Sequence, residues 1–239
     1  MRLSEVQQRV RAARQRSLRM AAAVDELHLD ESRRQLGRLV ETVQRDGWLA
    51  PHERQLAILT RDVTLAAARQ MASAAAEHAE QELAPIDDEA LRLARKARRI
   101  AVDESAITRL SEEMADRIDA LLDVSDEPHV DLAAQSYQLA RIVQTEAWRA
   151  YGQQRRALET DLALGGFGRT QRTAQRDGTL IVIAVEWDAW LDKRTCSRCA
   201  QHDGAVRPLG MTFSGGIESP PLHPRCRCIA GYWPVPIPV

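Results

Sequence analysis

Apolar residues recur every three or four positions through most of the first 164 residues, the spacing that places them on one face of an α-helix. The same stretch is rich in the helix formers Ala, Leu, Arg, Glu and Gln, and its prolines are Pro51, Pro85 and Pro128. We therefore predict a mainly α protein with an elongated helical N-terminal region. Six helices fit the pattern, at about 3–27, 36–46, 51–84, 87–99, 107–121 and 129–158.

The helical pattern ends at Gly165-Gly166-Phe167-Gly168, because three glycines in four residues interrupt any helix. A β-branched and apolar run from Thr179 to Trp187 follows, which predicts a buried strand. The rest of the chain is short of helix formers and rich in Gly and Pro. We predict four segments: a helical region at 1–164, a Gly-rich linker at 165–178, a small α+β or β module at 179–231 (the Cys module) and a Pro-rich extended tail at 232–239.

The tail alternates proline with apolar residues from Tyr232 to Val239, a pattern that favours an extended strand of the polyproline II type. Such a strand could lie in the groove of a partner protein or pack on its own domain. The alternation fits both arrangements equally well.

All four cysteines lie in the Cys module. Cys196 and Cys199 form a C-x-x-C pair, which lets one tight turn present two thiolates to a single cation. Cys226 and Cys228 fall on the same face of an extended segment, because side chains alternate along a strand. His223 competes with them for a place, since its spacing from Cys226 is that of a zinc knuckle. Four of these five residues would complete a tetrahedral site, and zinc is the structural metal that this donor set indicates.

Other states of the cysteines remain open, namely an iron–sulfur centre, disulfides and free thiols, and His202 is a sixth candidate ligand. Redox catalysis is not expected, because a redox-active C-x-x-C sits in a βαβ unit and no such pattern surrounds Cys196. A metal also has a structural purpose here, since so few apolar residues cannot hold about 60 residues together by themselves.

The formal net charge is −1, so composition implies no bulk attraction to nucleic acid or to an anionic membrane. We expect a soluble protein made in reducing cytosol, since no apolar run approaches the ~20 residues of a membrane span and no signal-peptide core precedes the helices. Nucleotide-binding loops, zinc-protease helices and nucleophile elbows are absent from the sequence, so we do not expect an enzyme. Asp192 and Asp203, which flank the first cysteine pair, are interpreted as residues that cap turns or hold Arg194.

The first predicted helix carries a basic cluster that could contact phosphates locally. A second cluster spans Arg92 to Arg99. Acidic residues follow both clusters within a turn or two, so a solvated helix face is the simpler interpretation of each. The first cluster is the better candidate for DNA, and its members are Arg2, Arg9, Arg11, Arg14, Arg16 and Arg19.

The Cys module has a specific order of residues: Trp187-x4-Asp192-x-Arg194-Thr195-Cys196-x2-Cys199, then Asp203-Gly204, then Phe213, then Pro220-Pro221-x-His223-Pro224-x-Cys226-Arg227-Cys228. This order resembles the C-terminal signature of the phage Mu F-like minor head proteins, also called the phage head morphogenesis family. Upstream, Arg141-x3-Thr145-Glu146 and Ala147-Trp148-Arg149-Ala150-Tyr151 resemble the helix that precedes the signature, with Gln144 where an arginine is usual.

The resemblance implies a minor capsid protein of a tailed phage, which is assembled in the host cytoplasm and located in the virion near the portal vertex. Its implied partners are the portal protein and the major capsid or scaffold proteins, with packaged DNA as a further candidate. The helical region would dock on these proteins, and Leu3, Val6 and Val10 have the i, i+3, i+7 spacing of docking residues.

The alternative from a different class is a cytosolic zinc-ribbon protein that binds nucleic acid. A nucleic-acid reader concentrates Lys and Arg around its zinc module. The loop from Ala200 to Leu222 contains Arg207 and no other basic residue apart from histidine. The sparse charge therefore favours the head protein.

Overall fold

The computed structural model describes residues 2–96, 102–167, 174–176, 179–189 and 195–237. Within these ranges, six helices precede Gly165, which confirms a mainly α protein with a long helical N-terminal region. None of them combines the length and the apolar composition needed to cross a membrane. The helices are α1 (Leu3–Asp46), α2 (Ala50–Leu83), α3 (Asp88–Lys96), α4 (Glu104–Leu122), α5 (Pro128–Ala134) and α6 (Ser136–Leu164).

The division of the chain into helices differs from the prediction at two places. The helix α1 runs without interruption across residues 28–35, where a break was expected, because no Gly or Pro lies between Leu27 and Leu36. The predicted last helix is in fact two helices, since Pro128 starts α5 and Gln135 separates it from α6. Arg98 and Arg99, the end of the predicted fourth helix, lie outside the described residues.

The remaining elements are β1 (Ala174–Arg176), β2 (Thr179–Asp188), the short helix α7 (Ser197–Ala200), β3 (Val206–Pro208) and β4 (Ile229–Ile237). The strand β2 covers the predicted strand and is the centre of a four-stranded antiparallel sheet. It pairs with β4 along nearly its whole length, from Leu180↔Ile237 to Asp188↔Ile229. The strands β1 and β3 therefore share the other edge of β2.

The Pro-rich tail is part of this sheet as far as Ile237, so it packs on its own domain and is not an unpaired strand. Residues 238–239 lie outside the described residues. Pro234 and Pro236 are two residues apart, so their backbones face the same edge of β4. That edge has no strand beside it among the described residues, so neither proline has to donate an N–H to a neighbouring strand. The alternation of proline thus follows from the position of the strand in the sheet.

Three outward-facing backbone groups of β4 are bonded by side chains of the helices. Arg155 Nε donates to the carbonyl of Ala230 at 3.0 Å, and Arg14 Nη2 donates to the carbonyl of Tyr232 at 2.9 Å. The N–H of Tyr232 donates to Glu82 Oε2 at 2.7 Å. Helix side chains therefore take the place of a further strand on this edge.

These side chains form a buried ionic network. Arg14 and Arg155 are each 3% exposed and Glu82 is fully buried. Arg155 Nη2 donates to Glu82 Oε2 at 2.6 Å, and Arg14 Nη1 donates to Glu186 Oε2. Gly231 has no side chain where the guanidinium of Arg14 crosses β4, and a Cβ there would lie 2.3 Å from Arg14 Nε. The network joins α1, α2 and α6 to the sheet.

The chain divides into two compact units. The first unit comprises Met1–Ala21, Ala72–Ala101 and Tyr151–Val239, and the second comprises Ala22–Met71 and Val102–Ala150. This division crosses the predicted boundary at Gly165, because the apolar core of the first unit draws on helices and strands alike. The four predicted segments remain a prediction about separable functions.

The core of the first unit buries the start of α1, which corrects the expected docking face. Val6 and Val10 are completely buried within the chain, against residues of α2, α6, β2 and β4, so they are not free to bind a partner. The i, i+3, i+7 spacing was evidence of an apolar face and did not reveal what covers that face.

We expect Glu82→Gln to lower the free energy of unfolding by about 3–5 kcal/mol, because the amide leaves the buried guanidinium of Arg155 without a counter-charge. Urea unfolding at pH 7 measures the change. Glu77→Gln, an exposed position on the same helix, is the matched control and should change stability by less than about 0.5 kcal/mol. Equal effects of the two variants would contradict a stabilising role of the network.

The buried His78 should make stability depend on pH. Burial, and then the charge of Arg155, lower the pKa of its ring to about 4, and its Nδ1 lies 2.9 Å from the hydroxyl of Tyr151. The unfolded chain takes up this proton near pH 6.5 and the folded chain does not, so stability is complete above pH 6.5 and is lost as the pH falls to 4.

The loss should approach about 3 kcal/mol. Urea unfolding from pH 7 to 4 should therefore show a shallower decline for His78→Gln than for the wild type, and groups common to both proteins cancel in the difference. Parallel pH profiles would exclude His78 as the titrating group.

Candidate metal centre

Two turns bring the predicted ligands together. Cys196 caps the N-terminus of α7, and its Sγ accepts a hydrogen bond from the N–H of Cys199 at 3.4 Å. This turn holds both sulfur atoms on the same side of the helix start. In the second turn the N–H of Cys226 donates to the carbonyl of His223 at 3.1 Å, which draws the imidazole and the thiol together.

The side-chain atoms of the two turns approach to the separations found in a tetrahedral site. His223 Nε2 lies 3.2 Å from the Sγ of Cys196 and 3.2 Å from the Sγ of Cys199. The Sγ atoms of Cys199 and Cys226 are 3.6 Å apart. Zn–S and Zn–N bond lengths put neighbouring ligand atoms of one tetrahedron roughly 3.4–3.8 Å apart. The observed distances are close to these values.

The five residues form two overlapping triads, whose ligand atoms lie within 4.8 Å of one another. One triad is Cys196, Cys199 and His223, and the other is Cys199, Cys226 and Cys228. Cys199 belongs to both. Every set of four ligands that contains one of the two triads therefore includes Cys199.

The space between the turns suits an ion. Its volume is about 10 Å³, which is comparable to the room that a single water molecule requires and too small for an organic ligand. Besides the five candidate ligands, Arg225 and Arg227 line this space. Their guanidinium groups would offset the excess negative charge of several thiolates around one divalent cation.

The orientation of His223 favours its role as a ligand. Its Nδ1 lies 2.9 Å from the carbonyl of Pro224, an oxygen that can only accept, so Nδ1 carries the proton. The other ring nitrogen, Nε2, faces the sulfur atoms of the first turn and is the one available to a metal. A histidine that binds a metal typically has its second nitrogen fixed by such a hydrogen bond.

The pKa values of the four thiols are shifted in opposite directions. Hydrogen bonds from the side chain and backbone N–H of Cys228 lower the pKa of Cys226 to about 5, and the N–H of Cys199 lowers the pKa of Cys196. Burial, and then the charge of Cys226, raise the pKa of Cys199 to about 12. The hydrogen bond to Cys226, and then burial, raise the pKa of Cys228. A divalent cation would remove the mutual repulsion that opposes further ionisation.

The remaining candidates near the site have other roles. His202 stacks on Trp187, with ring centroids 5.1 Å apart, and belongs to neither triad among the described residues. Asp203 Oδ1 accepts a hydrogen bond from the N–H of Ala189 at 2.9 Å, which fits the interpretation as a turn residue. Asp192 and Arg194 lie outside the described residues.

The candidate metal centre rests on a second apolar cluster. Trp187 is fully buried there and meets Phe213 edge-on at 5.3 Å. The loop before His223 is held against α6 at Gly152, where a Cβ would come within 2.6 Å of the carbonyl oxygen of Pro220. Sequence reasoning had not identified Gly152 as part of the support, because a glycine inside a helical pattern is not by itself a signal.

Sequence reasoning also missed a buried ion pair beside the site. Arg207 Nη2 donates to Glu159 Oε2 at 2.8 Å, and the N–H of Gly210 donates to Glu159 Oε1 at 2.9 Å. The guanidinium lies 4.6 Å over the ring of Phe213. Arg207, the basic residue of the loop between the turns, therefore ties that loop to α6.

The donor set fits a tetrahedral cation that prefers sulfur and imidazole, which is the chemistry of zinc and, with sulfur alone, of iron. All four cysteines are free thiols in the structure, and the 3.6 Å separation of Cys199 and Cys226 is far longer than a disulfide bond. The Cys module could therefore hold a metal.

The sequence profile described as "Phage Mu protein F like protein" matches residues 109–230, which is just over half of the chain. The chain belongs to this family. The match runs from α4 into β4 and includes every candidate metal ligand. Membership of the family implies a phage head morphogenesis protein, and the family is one of structural head proteins. No curated protein and no solved structure matches the chain.

We expect the purified protein to contain about one zinc ion per chain, because two close pairs of thiolates with an imidazole bind Zn²⁺ strongly at neutral pH. Elemental analysis of the protein, prepared under reducing conditions, measures the content. Cys199→Ser should lose the metal whichever ligand set is used. Ser197→Ala, an exposed position in the same turn, should keep it.

His223→Ala and Cys228→Ser then separate the two ligand sets, and the variant that retains one zinc ion per chain identifies the residue that is not a ligand. Wild-type protein without metal, and with its cysteines paired in non-reducing mass spectrometry, would replace the zinc site by disulfides.

Proposed function

We propose that the chain is a minor capsid protein of a tailed bacteriophage, located at or near the portal vertex, where it takes part in head assembly by binding other head proteins. The observation that carries this proposal is the family match over residues 109–230. The partners would be the portal protein and the major capsid or scaffold proteins. The mode of action is binding rather than catalysis.

The centre at Cys196, Cys199, His223, Cys226 and Cys228 would serve this function as a structural zinc site. A protein built once into a capsid needs surfaces that keep their shape, and a closed tetrahedral site fixes the turns that carry it. Four protein ligands leave no open position for a substrate or an activated water.

Packaged DNA is a second proposed partner, through the basic cluster of α1. Arg2, Arg9 and Arg16 are exposed and seven residues apart, so they lie on one face of the helix. Arg19 is exposed as well. Arg14 is removed from this set, because it is buried and bound to Glu186 and Tyr232. Arg11 is exposed but lies 4.8 Å over the ring of Trp233, so only part of its guanidinium faces outward.

Mass spectrometry of purified virions and procapsids tests the proposal directly. We expect the chain in both, at a copy number far below that of the major capsid protein, and cross-linked to the portal protein after treatment with a short bifunctional reagent. Ultraviolet cross-linking of the same virions should attach DNA to peptides from residues 2–19.

Each part of the proposal can fail separately. Absence from virions and procapsids alike would exclude a head protein. A copy number near that of the major capsid protein would exclude the portal vertex. Virions with the chain present but with no DNA on the peptides of residues 2–19 would exclude the DNA contact.

A further inference from the structure

An open apolar groove runs between α4 and α6 in the second unit. Its volume is about 330 Å³. Met114 and Ile118 form a buried floor, and Leu110 and Ile142 form half-buried walls. Leu121 is 43% exposed at one end of the groove. Apolar side chains that line an open groove between two helices can be covered by the side chains of a partner helix.

Charged side chains on the rim of the groove have a definite sign. Arg117 stands on α4 and Arg141 on α6, and both are exposed. Neither guanidinium has an acidic partner among the described residues. Glu113 also lines the groove, but Arg109 lies 3.9 Å from it and offsets its charge. The rim therefore presents two uncompensated positive charges, one on each helix.

We propose that this groove binds an amphipathic helix of another head protein, with apolar residues at i, i+3 and i+7 in the groove and carboxylates along its flanks. The identity of the source rests on the proposed function. Helix-in-groove recognition uses this combination of a long apolar slot and charged edges. The arginines supply the specificity, since they attract an acidic helix and repel a basic one.

The observations favour a protein helix over the nucleic acid that arginines could also attract. A phosphate backbone needs basic residues but has no use for an apolar groove, and the floor and walls here consist of four aliphatic or thioether side chains. The basic cluster of α1 has the opposite character, because exposed arginines there are not combined with a groove. The two surfaces are therefore assigned to different partners.

The groove also replaces the docking face that the sequence suggested. Val6 and Val10 have the spacing of docking residues and are buried in the first unit, whereas the groove keeps half-buried walls and an exposed Leu121. Leu110, Met114 and Leu121 follow the i, i+4, i+11 positions of one helix face. Val124, which is 81% exposed, lies just beyond the end of α4.

The test uses purified full-length protein and two fluorescent peptides of about 18 residues. One peptide has leucines at i, i+3 and i+7 flanked by glutamates, and the other has lysines in place of the glutamates. Fluorescence anisotropy should show binding of the acidic peptide at least about ten-fold tighter than of the basic one. Arg117→Glu with Arg141→Glu should reverse this order.

The matched control replaces two exposed arginines of the second unit that do not line the groove, Arg45→Glu with Arg54→Glu. It should leave the preference unchanged. Circular dichroism verifies that each variant keeps the helical content of the wild type, which surface positions should preserve. Equal binding of both peptides, an effect of the control pair as large as that of the groove pair, or displacement of the acidic peptide by duplex DNA would each overturn the proposal.

A second measurement separates this inference from the proposed function. A photo-reactive amino acid at Gln138, an exposed residue of the groove, should cross-link in procapsids to a segment rich in Asp and Glu with the i, i+3, i+7 pattern. The groove pair of substitutions should abolish this product. If the chain is present in procapsids but cross-links to a segment of another kind, the groove proposal is wrong and the proposed function stands. If the chain is absent from procapsids, the proposed function is wrong, and the peptide titration still tests the groove.

Discussion

The first unit depends on the hydrogen bonds and the ion pair made by the buried carboxylate of Glu82. Burying a charged group without partners costs many kcal/mol, so the surrounding groups must be arranged to satisfy it. Arg155 and the N–H of Tyr232 do so directly, and Arg155 in turn bonds the carbonyl of Ala230. A helix residue thereby fixes the register of an edge strand that has no second strand beside it. With Arg14 on the carbonyl of Tyr232, the helices complete the sheet.

Much of the fold could be predicted from the sequence, because helix breakers and apolar periodicity are local signals. The start of α5 at Pro128 and the strand from Thr179 onward are examples. The two compact units could not be predicted, since they depend on which apolar faces meet. Val6 and Val10 show this clearly, because their spacing is the same whether a partner or the chain's own core covers them. A change in composition, such as the one at Gly165, marks a change of secondary structure and need not mark the edge of a core.

The sequence named five candidate ligands and left the ligand set open. Spacing alone placed Cys196 with Cys199 and brought His223 into contention, and the structure brings all five candidates together. The choice among them depends on hydrogen bonds such as that of His223 Nδ1, which no spacing reveals. The ionic network was unpredictable for a related reason. Glu82 and the exposed Glu77 stand in the same alanine-rich helix, and only the packing of other elements distinguishes them.

The candidate metal centre and the Glu82 network lie at the two ends of one short stretch of chain. Cys226 and Cys228 belong to the centre, and two residues further on Ala230 is already bonded to Arg155. The backbone N–H and C=O groups of successive residues face opposite edges of β4. A slip of one residue would therefore turn the groups of Ala230 and Tyr232 away from the helices and leave Glu82 and Arg155 without these partners. A cation held by both turns would fix the start of β4 and so oppose that slip. The metal would then stabilise the helices through the register of a strand, and the Cys module would be a clamp on the helical core rather than an independent domain.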